Sequence, residues 1–282
     1  MKRESISALL ARRGFLRRIG RAAAVTGTVV AAGAAGLVRK AAAKSETAAV
    51  RQSFPTPDYD WTKHRWAFGV DATKCIGCLR CVEACKREND VPLNAHQFRT
   101  WVERYVYLEG DDKARIDSQQ DPVNIAASGS EKEYRFADRY KNAKVEKAFF
   151  VPKLCNQCTH PACVQVCPVG ATYRTEDGVV LIDHEYCIGC RYCVQACPYG
   201  ARYFNEEKGV SDKCTWCYHR ITKGLQPACV EVCPVGARIF GDLKDTRSPI
   251  SQFIRNNRVQ VLKPDTGNAP NVFYVGIDKE VS

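Results

Sequence analysis

Sixteen cysteines constrain this 282-residue sequence more than any other feature, because all of them fall into four groups of four. Groups one and three have the spacing C-x2-C-x2-C-x3-C, group two has C-x2-C-x4-C-x3-C, and group four has C-x2-C-x11-C-x3-C. A proline follows the last cysteine of the second, third and fourth groups. We call the groups motifs 1 to 4. Motif 1 is Cys75, Cys78, Cys81 and Cys85; motif 2 is Cys155, Cys158, Cys163 and Cys167; motif 3 is Cys187, Cys190, Cys193 and Cys197; and motif 4 is Cys214, Cys217, Cys229 and Cys233.

Iron–sulfur clusters explain this spacing better than disulfides or zinc do. In the bacterial C-x2-C-x2-C-x3-C-P pattern, three thiolates hold one cube and the fourth cysteine ligates the other cube. Disulfides are disfavoured, because such close spacing wraps one point instead of linking distant segments. Zinc commonly uses two separated C-x2-C pairs, which leaves the third cysteine unexplained. We therefore predict four 4Fe–4S clusters, which would make the protein brown. A zinc or disulfide scaffold would be colourless.

Within motif 1, the residues between the cysteines have expected roles. Gly77 allows the backbone to pass close to a cluster. A short helix from Val82 and Ala84 is expected to carry Cys85 away to a second cluster.

The four motifs alternate between two kinds, which indicates a duplicated two-cluster unit. Motifs 1 and 3 share CIGCxxCVxAC, and motifs 2 and 4 share PACVxVCPVGA. Short apolar segments at 178–183 and 237–242 are expected to form strands. The predicted fold class is α+β, with duplicated bacterial-ferredoxin-like lobes built around four cubes and a loop-rich insertion.

The spacing between motifs does not settle which motifs share a lobe. Nineteen residues separate motifs 2 and 3, which suits one compact lobe, while 69 residues separate motifs 1 and 2. These gaps favour a nested scheme, with the inner motifs together and the outer motifs together. Motifs 3 and 4 are only 16 residues apart, however, so other pairings stay open.

The net charge of +11 does not indicate a nucleic-acid partner. Residues 1–44 contain ten of the 42 Lys and Arg residues and one of the 31 acidic residues, so the remainder is nearly balanced. A basic leader on a balanced body lacks the clustered positive face of phosphate-binding proteins. We expect no binding to nucleic acid.

The leader itself has the order of an export signal. Arg12 and Arg13 precede bulky apolar residues, an uncharged Ala- and Gly-rich run at 22–38, and three alanines at 41–43. This order is typical of a twin-arginine signal, here residues 1–43, and it predicts a periplasmic protein. The alternative is a retained transmembrane anchor, for which a 17-residue run is at the short limit.

The sequence resembles the four-cluster iron–sulfur subunits of membrane-linked bacterial reductases, especially those of tetrathionate and polysulfide reductases. The segments that carry the resemblance are CIGCLRCVEACKREN (75–89), the stretches 154–183, 187–204 and 212–245, and the tail VLKPDTGNAPNVFYVGID (261–278). We place a linker at 44–65, the four-cluster domain at 66–245 and a C-terminal extension at 246–282.

The resemblance implies nested ligand sets, which we call sites A to D. Site A is Cys75, Cys78, Cys81 and Cys233; site B is Cys214, Cys217, Cys229 and Cys85; site C is Cys155, Cys158, Cys163 and Cys197; and site D is Cys187, Cys190, Cys193 and Cys167.

The resemblance also implies a function without a substrate site. The chain would relay electrons between a quinol-reactive integral membrane subunit and a catalytic molybdopterin subunit that acts on a sulfur compound, docked at the membrane through protein contacts. The alternative is a free polyferredoxin-like carrier, or an iron–sulfur adaptor of another respiratory complex.

Two features are left with open interpretations. The polar stretch at about 111–144 is an insertion, either a solvated surface loop or a docking loop for a partner. Four cations flank ligands and would either raise cluster potentials or serve as surface charges; they are Arg80, Lys86, Arg191 and Lys213.

Overall fold

The computed structural model describes residues 58–92, 97–119, 136 and 138–281. The predicted signal at 1–43 and the first part of the predicted linker, up to residue 57, lie outside these ranges. None of the helices within them is long and apolar enough to cross a bilayer.

The described chain consists of short elements in mixed order, in agreement with the predicted α+β class. The helices are α1 (Arg80–Glu88), α2 (Ala162–Gln165), α3 (Tyr192–Gln195), α4 (Tyr218–Ile221), α5 (Ala228–Glu231) and α6 (Pro249–Asn256), with 3₁₀ turns at Trp61–Lys63 and Pro264–Thr266. The strands are β1 (Trp66–Asp71), β2 (Thr100–Leu108), β3 (Arg115–Ser118), β4 (Val145–Leu154), β5 (Thr172–Arg174), β6 (Val180–Ile182), β7 (Arg202–Asn205), β8 (Val210–Lys213), β9 (Arg238–Asp242) and β10 (Val272–Val275).

One three-stranded sheet joins the two ends of the cysteine-bearing region. Its order is β10-β1-β9, with β1 antiparallel to β9 and parallel to β10. Because β1 leads into motif 1 and β9 follows motif 4, this pairing places the first and last motifs side by side. Helix α1 of motif 1 also packs against α5 of motif 4. We call this unit the outer lobe.

The inner motifs form a second unit of the same kind, the inner lobe. The hairpin β5-β6 connects motif 2 to motif 3, and the hairpin β7-β8 connects motif 3 to motif 4. Helix α2 packs against α3 in the same way that α1 packs against α5. The strands expected at 178–183 and 237–242 are present as β6 and β9.

A third, antiparallel sheet of order β3-β2-β4 holds the start of the predicted insertion. Strand β3 lies inside 111–144 and pairs with β2. Its buried Asp117 accepts a 2.6 Å hydrogen bond from the guanidinium of Arg104 on β2. Within the predicted insertion, Arg115–Ser118 is therefore a paired strand and not a loop; residues 120–135 and 137 lie outside the described ranges.

The C-terminal segment completes the outer lobe. Ser248 caps α6 by accepting a hydrogen bond from the backbone N–H of Ser251. Two glycines allow this helix to pack close to the sheet. A Cβ on Gly69 would come within 2.8 Å of the Phe253 ring, and one on Gly241 within 3.1 Å of Ile250. Beyond it, β10 adds a parallel strand to β1. The predicted extension at 246–282 is therefore part of the outer lobe.

The core combines cysteines with aromatic rings. Cys81, Cys155, Cys214 and Cys229 belong to the same buried cluster as Phe68, Trp216, Phe240 and Tyr274. Because the sulfurs lie within the core, whatever they bind is part of the packing that holds the lobes.

Buried Asp177 anchors the chain that precedes β1. Its carboxylate accepts hydrogen bonds from the hydroxyls of Tyr59, at 2.6 Å, and Tyr218, at 2.9 Å. The indole of Trp61 donates to the Tyr218 hydroxyl at 2.8 Å. The end of the predicted linker is thus fixed to the inner lobe and to α4.

Candidate iron–sulfur cluster sites

Motifs 1 and 3 have the same backbone turn. Gly77 and Gly189 have φ values of 66° and 69°, and two residues later Leu79 and Arg191 are also left-handed, at 62° and 65°. Helices α1 and α3 start directly after these turns, as motif 1 predicted. In motif 1 this turn places Cys75, Cys78 and Cys81 around one pocket.

The loop that follows motifs 2, 3 and 4 has a second repeated geometry. Gly170, Gly200 and Gly236 have φ values of 68°, 61° and 61°, which bend the chain back toward the preceding cysteine. Around Cys167, burial opposes ionisation, but hydrogen bonds from the backbone N–H groups of Thr172, Val169 and Ala171 lower the pKa of the thiol. Donors of this kind stabilise a thiolate.

Site A surrounds a pocket with about 330 Å³ of empty space, part of which is open to solvent. Its wall contains all four predicted ligands together with apolar side chains and Arg238, and the ligands are Cys75, Cys78, Cys81 and Cys233. Burial raises the pKa of the Cys75 thiol to about 11, and the nearby sulfurs of Cys81 and Cys233 add to the increase.

Site C surrounds a similar pocket in the inner lobe, with about 350 Å³ of empty space that is also partly open to solvent. Its wall contains Arg202, Asn156 and the four predicted ligands, which are Cys155, Cys158, Cys163 and Cys197. Burial raises the pKa of the Cys158 thiol to about 12, with further contributions from the sulfurs of Cys155, Cys163 and Cys197. Both cavities group the sulfurs as in the nested scheme.

Site B brings Cys85 to motif 4. The side-chain amide of Asn89 donates to the sulfurs of both Cys85, at 3.6 Å, and Cys217, at 3.5 Å, so these two side chains are adjacent. Burial, followed by the sulfurs of Cys217, Cys214 and Cys229, raises the pKa of the Cys85 thiol well above its usual value. Helix α1 thus carries Cys85 away from the other cysteines of motif 1 and to motif 4.

Site D is set by the packing of two helices. Helix α2, which leads to Cys167, packs against α3, which carries Cys193. Cys193 is buried and Cys190 is exposed. This packing brings motifs 2 and 3 together; the ligation of site D by Cys187, Cys190, Cys193 and Cys167 remains a prediction from the repeat and the family resemblance.

The donor sets suit clusters of iron and sulfide. Within the described ranges no three Cys, His, Asp or Glu side chains meet as closely as a single metal ion requires; sites A and C instead surround a cavity. The raised pKa values mean that several buried thiolates are unfavourable together unless a cationic centre compensates them. Iron supplies that charge and deprotonates the thiols that bind it.

The four cations predicted to flank ligands have different environments. Arg80 and Arg191 are exposed, whereas Lys86 and Lys213 are buried. Burial lowers the pKa of Lys86 to about 8, and its ammonium donates to the carbonyl of Pro92 at 2.8 Å.

Sequence reasoning missed further buried cations, and two of them, Arg202 and Arg238, line the pockets of sites C and A. Each is the fifth residue after the last cysteine of its motif, in the repeated segments CPYGAR and CPVGAR. That repetition is the signal that could have found them.

Comparison with known proteins supports 4Fe–4S clusters in this chain. Two family models, each described as a 4Fe-4S dicluster domain, match residues 74–171 and 146–243. A tetrathionate reductase subunit of Salmonella typhimurium is 40% identical over 218 residues, covering 77% of this chain and 74% of that protein. The Archaeoglobus fulgidus protein of the same name is 45% identical, covering 76% and 83%.

A third relative comes from an enzyme with a different name. The beta subunit of dimethylsulfide dehydrogenase from Rhodovulum sulfidophilum is 44% identical over 258 residues, covering 76% of this chain and 78% of that protein. Such subunits are parts of multi-subunit enzymes, which implies a catalytic subunit as partner. The chain therefore belongs to the family of 4Fe–4S electron-transfer subunits of reductases.

Proposed function

We propose that this chain relays single electrons through four 4Fe–4S clusters, between a quinol-reactive membrane subunit and a catalytic reductase subunit. The observation that carries the proposal is the lining of two separate cavities by four cysteines each, in the nested sets of sites A and C. The clusters would accept and donate one electron each, and the protein holds them in fixed positions.

The arrangement of the sites supports a linear order A–B–C–D. Sites A and B share the α1–α5 pair, and sites C and D share the α2–α3 pair. Between them, burial and then the sulfur of Cys155 in site C raise the pKa of Cys214 in site B to about 12, so these sites are neighbours.

Both ends of this order reach the surface, as a relay between two partners requires. Cys78 of site A and Cys190 of site D are exposed, unlike the other fourteen cysteines. Ile76 and Ile188 beside them are 58% and 63% exposed. These two exposed apolar residues lie in the same CIGC segment, one in each lobe, which suits the binding of one partner at each end of the cluster order.

The nature of the partners follows from the relatives. The name tetrathionate reductase in two relatives supports a catalytic molybdopterin subunit that acts on an oxidised sulfur compound. The twin arginines Arg12 and Arg13 support export to the periplasm in the folded, cluster-loaded state. The chain would then dock at the inner membrane through the quinol-reactive subunit.

Iron analysis tests the number of clusters. Anaerobically purified protein should be brown and contain about sixteen irons per chain, four for each cube. Iron content is measured by atomic absorption and the clusters by electron paramagnetic resonance of the reduced protein. About eight irons, or four zinc ions, would contradict the proposal.

Cell fractionation tests the location. Replacing Arg12 and Arg13 with lysine should retain the protein in the cytoplasm with its iron intact, because the export apparatus reads the arginine pair. Immunoblots of periplasm, membrane and cytoplasm give the distribution. Unchanged delivery would show that the leader does not act as a twin-arginine signal.

A further inference from the structure

Arg238 lies between sites A and B. It is buried, lines the cavity of site A, and donates from Nη2 to the hydroxyl of Thr100 at 2.8 Å. Its Nε and Nη1 have no hydrogen-bond partner among the described residues. Although burial opposes it, the sulfurs of Cys81, Cys229 and Cys75 raise the pKa of Arg238, so its charge faces ligands of both sites.

Arg202 has the corresponding place between sites C and D. It lines the cavity of site C and donates from Nη1 to the hydroxyl of Thr172 at 3.3 Å, while Nη2 has no partner in the described chain. Burial again opposes its charge, but the sulfurs of Cys163 in site C and Cys193 in site D raise the pKa of Arg202.

Lys213 lies at the remaining junction, between sites B and C. The side chain is fully buried, and Nζ donates to the carbonyls of Val180 and Cys214, the latter at 2.8 Å, and to Gln157 Oε1 at 3.5 Å. Three acceptors around one amine suit an ammonium group, which has three donors. Its charge acts on Cys214 of site B and on Cys163 of site C.

These three cations differ from Arg99, another buried basic group nearby. Arg99, which is also buried close to site B, is neutralised by Asp212 at 2.9 Å. No ion pair with a carboxylate joins Arg238, Lys213 or Arg202 in the ranges that the structure describes. A buried charge without a counterion is costly unless an anionic group lies beside it. A cluster bound by four thiolates is such a group.

We propose that Arg238, Lys213 and Arg202 occupy the three junctions between the four clusters, and that each cation raises the reduction potentials of both clusters beside it. Reduction adds a negative charge to a cluster, and a cation in a low-dielectric interior stabilises that charge more than one in water does. The inference rests on the proposed four-cluster relay. It adds that neighbouring clusters share one buried charge, and that sites B and C each lie beside two such charges whereas sites A and D each lie beside one.

Single substitutions give each junction a distinct pattern. Arg238→Gln should lower the midpoint potentials of the clusters at sites A and B and leave sites C and D unchanged. Arg202→Gln should lower those of C and D, and Lys213→Met those of B and C. The measurement is a redox titration followed by electron paramagnetic resonance, with each signal assigned through a cysteine-to-serine variant of its own site.

Arg80→Gln is the matched control. Arg80 lies next to Cys81 in sequence but is exposed, so water and salt screen its charge. Its removal should shift the potential of site A less than Arg238→Gln does. Equal shifts in these two variants, or unchanged potentials in a fully loaded Arg238→Gln protein, would overturn the inference.

Charge and structure are separated by a conservative variant. If Arg238→Gln binds less iron than the parent, the test becomes Arg238→Lys, which keeps the charge. Parental potentials at sites A and B in the Arg238→Lys protein support the inference, and lowered potentials overturn it. Loss of iron from both variants would assign Arg238 to cluster assembly and also overturn it. A parent protein with far fewer than sixteen irons would instead refute the proposed function itself.

Discussion

At the residue scale, Cys85 decides how the motifs are connected. It ends motif 1, yet its sulfur shares the amide of Asn89 with Cys217 of motif 4. Cys85→Ser should therefore leave the cluster of Cys75, Cys78 and Cys81 nearly unchanged and perturb the cluster at site B, which would shift its potential or lose one iron. Redox-poised electron paramagnetic resonance of the reduced variant measures both effects.

The reciprocal variant is its control. Cys233→Ser should perturb site A and spare site B, because Cys233 lines the cavity of motif 1. If Cys85→Ser instead altered the cluster of motif 2, the motifs would be connected sequentially and the four ligand sets would be wrong.

The glycines of the turns offer a second test at this scale. A Cβ at Gly189 would lie 2.5 Å from the carbonyl oxygen of Gly209, whereas Gly170, with nearly the same φ, has open space around it. Left-handed backbone alone costs a side-chain-bearing residue about 1–2 kcal/mol. Gly170→Ala should lower the free energy of unfolding by about that amount, and Gly189→Ala should lower it by clearly more.

The rate of cluster loss in denaturant, followed by visible absorbance, compares the two glycine variants under one set of conditions. Equal rates of cluster loss in the two variants would mean that the backbone shifts to relieve the contact between the new Cβ at position 189 and the Gly209 carbonyl oxygen without loss of stability. The difference between the variants isolates the clash, since both replace a left-handed glycine with alanine.

Individual residues also show which parts of the sites could be predicted from the sequence and which could not. The spacing of the cysteines predicted the four motifs, whereas the motif that supplies the fourth ligand of each site was implied by the family resemblance. Arg238 and Arg202 were not predicted, because an arginine in a sequence is more often exposed than buried. Only the folding of β7 and β9 against the sites buries them.

At the element scale, most parts of the inner lobe are too short to be stable alone. Helices α2 and α3 have four residues each, and strands β5 to β8 have three or four. Isolated helices of this length and two-stranded hairpins are at best marginal in water. The inner lobe must therefore depend on contacts beyond its own backbone hydrogen bonds, and the proposed clusters at sites C and D would supply them.

Removing the iron tests this dependence. Chelation should abolish the hydrogen-exchange protection of β5 to β8, while β2 and β4, which pair over nine residue positions, should retain more protection. Exchange followed by mass spectrometry compares the two regions in one sample. Protection of β5 to β8 that survives the loss of iron would contradict the expected role of the clusters.

Strands were predicted from sequence only where they adjoin a motif. The apolar segments of β6 and β9 indicated strands, but no local pattern gives the partner of a strand. Strand β10 pairs with β1 about 200 residues earlier, and β3 pairs with β2 inside a polar stretch. Such pairings depend on tertiary packing, which the residue order does not display.

At the scale of the whole molecule, the two exposed ends of the cluster order should bind different partners. Ile76 and Ile188 occupy the same position of the repeated CIGC segment, one beside site A and one beside site D. Each leaves more than half of its side chain in water, and exposed apolar residues next to a redox site suit a protein interface. A glutamate at either position would place a charge in that interface and weaken it.

Ile76→Glu and Ile188→Glu should therefore each lose one partner and keep the other. Leu225→Glu is the matched control, because Leu225 is 52% exposed but lies in sequence between Cys217 and Cys229, two predicted ligands of site B, and not beside a ligand of site A or site D. Affinity purification from solubilised membranes, with quantitative mass spectrometry, measures the catalytic and membrane subunits recovered with each variant, and iron content verifies that the clusters are intact. One variant that loses both partners, or two variants that lose the same one, would refute a relay with its ends at sites A and D. Equal losses from Leu225→Glu would show that any added surface charge disturbs assembly, and that the two isoleucines mark no particular interface.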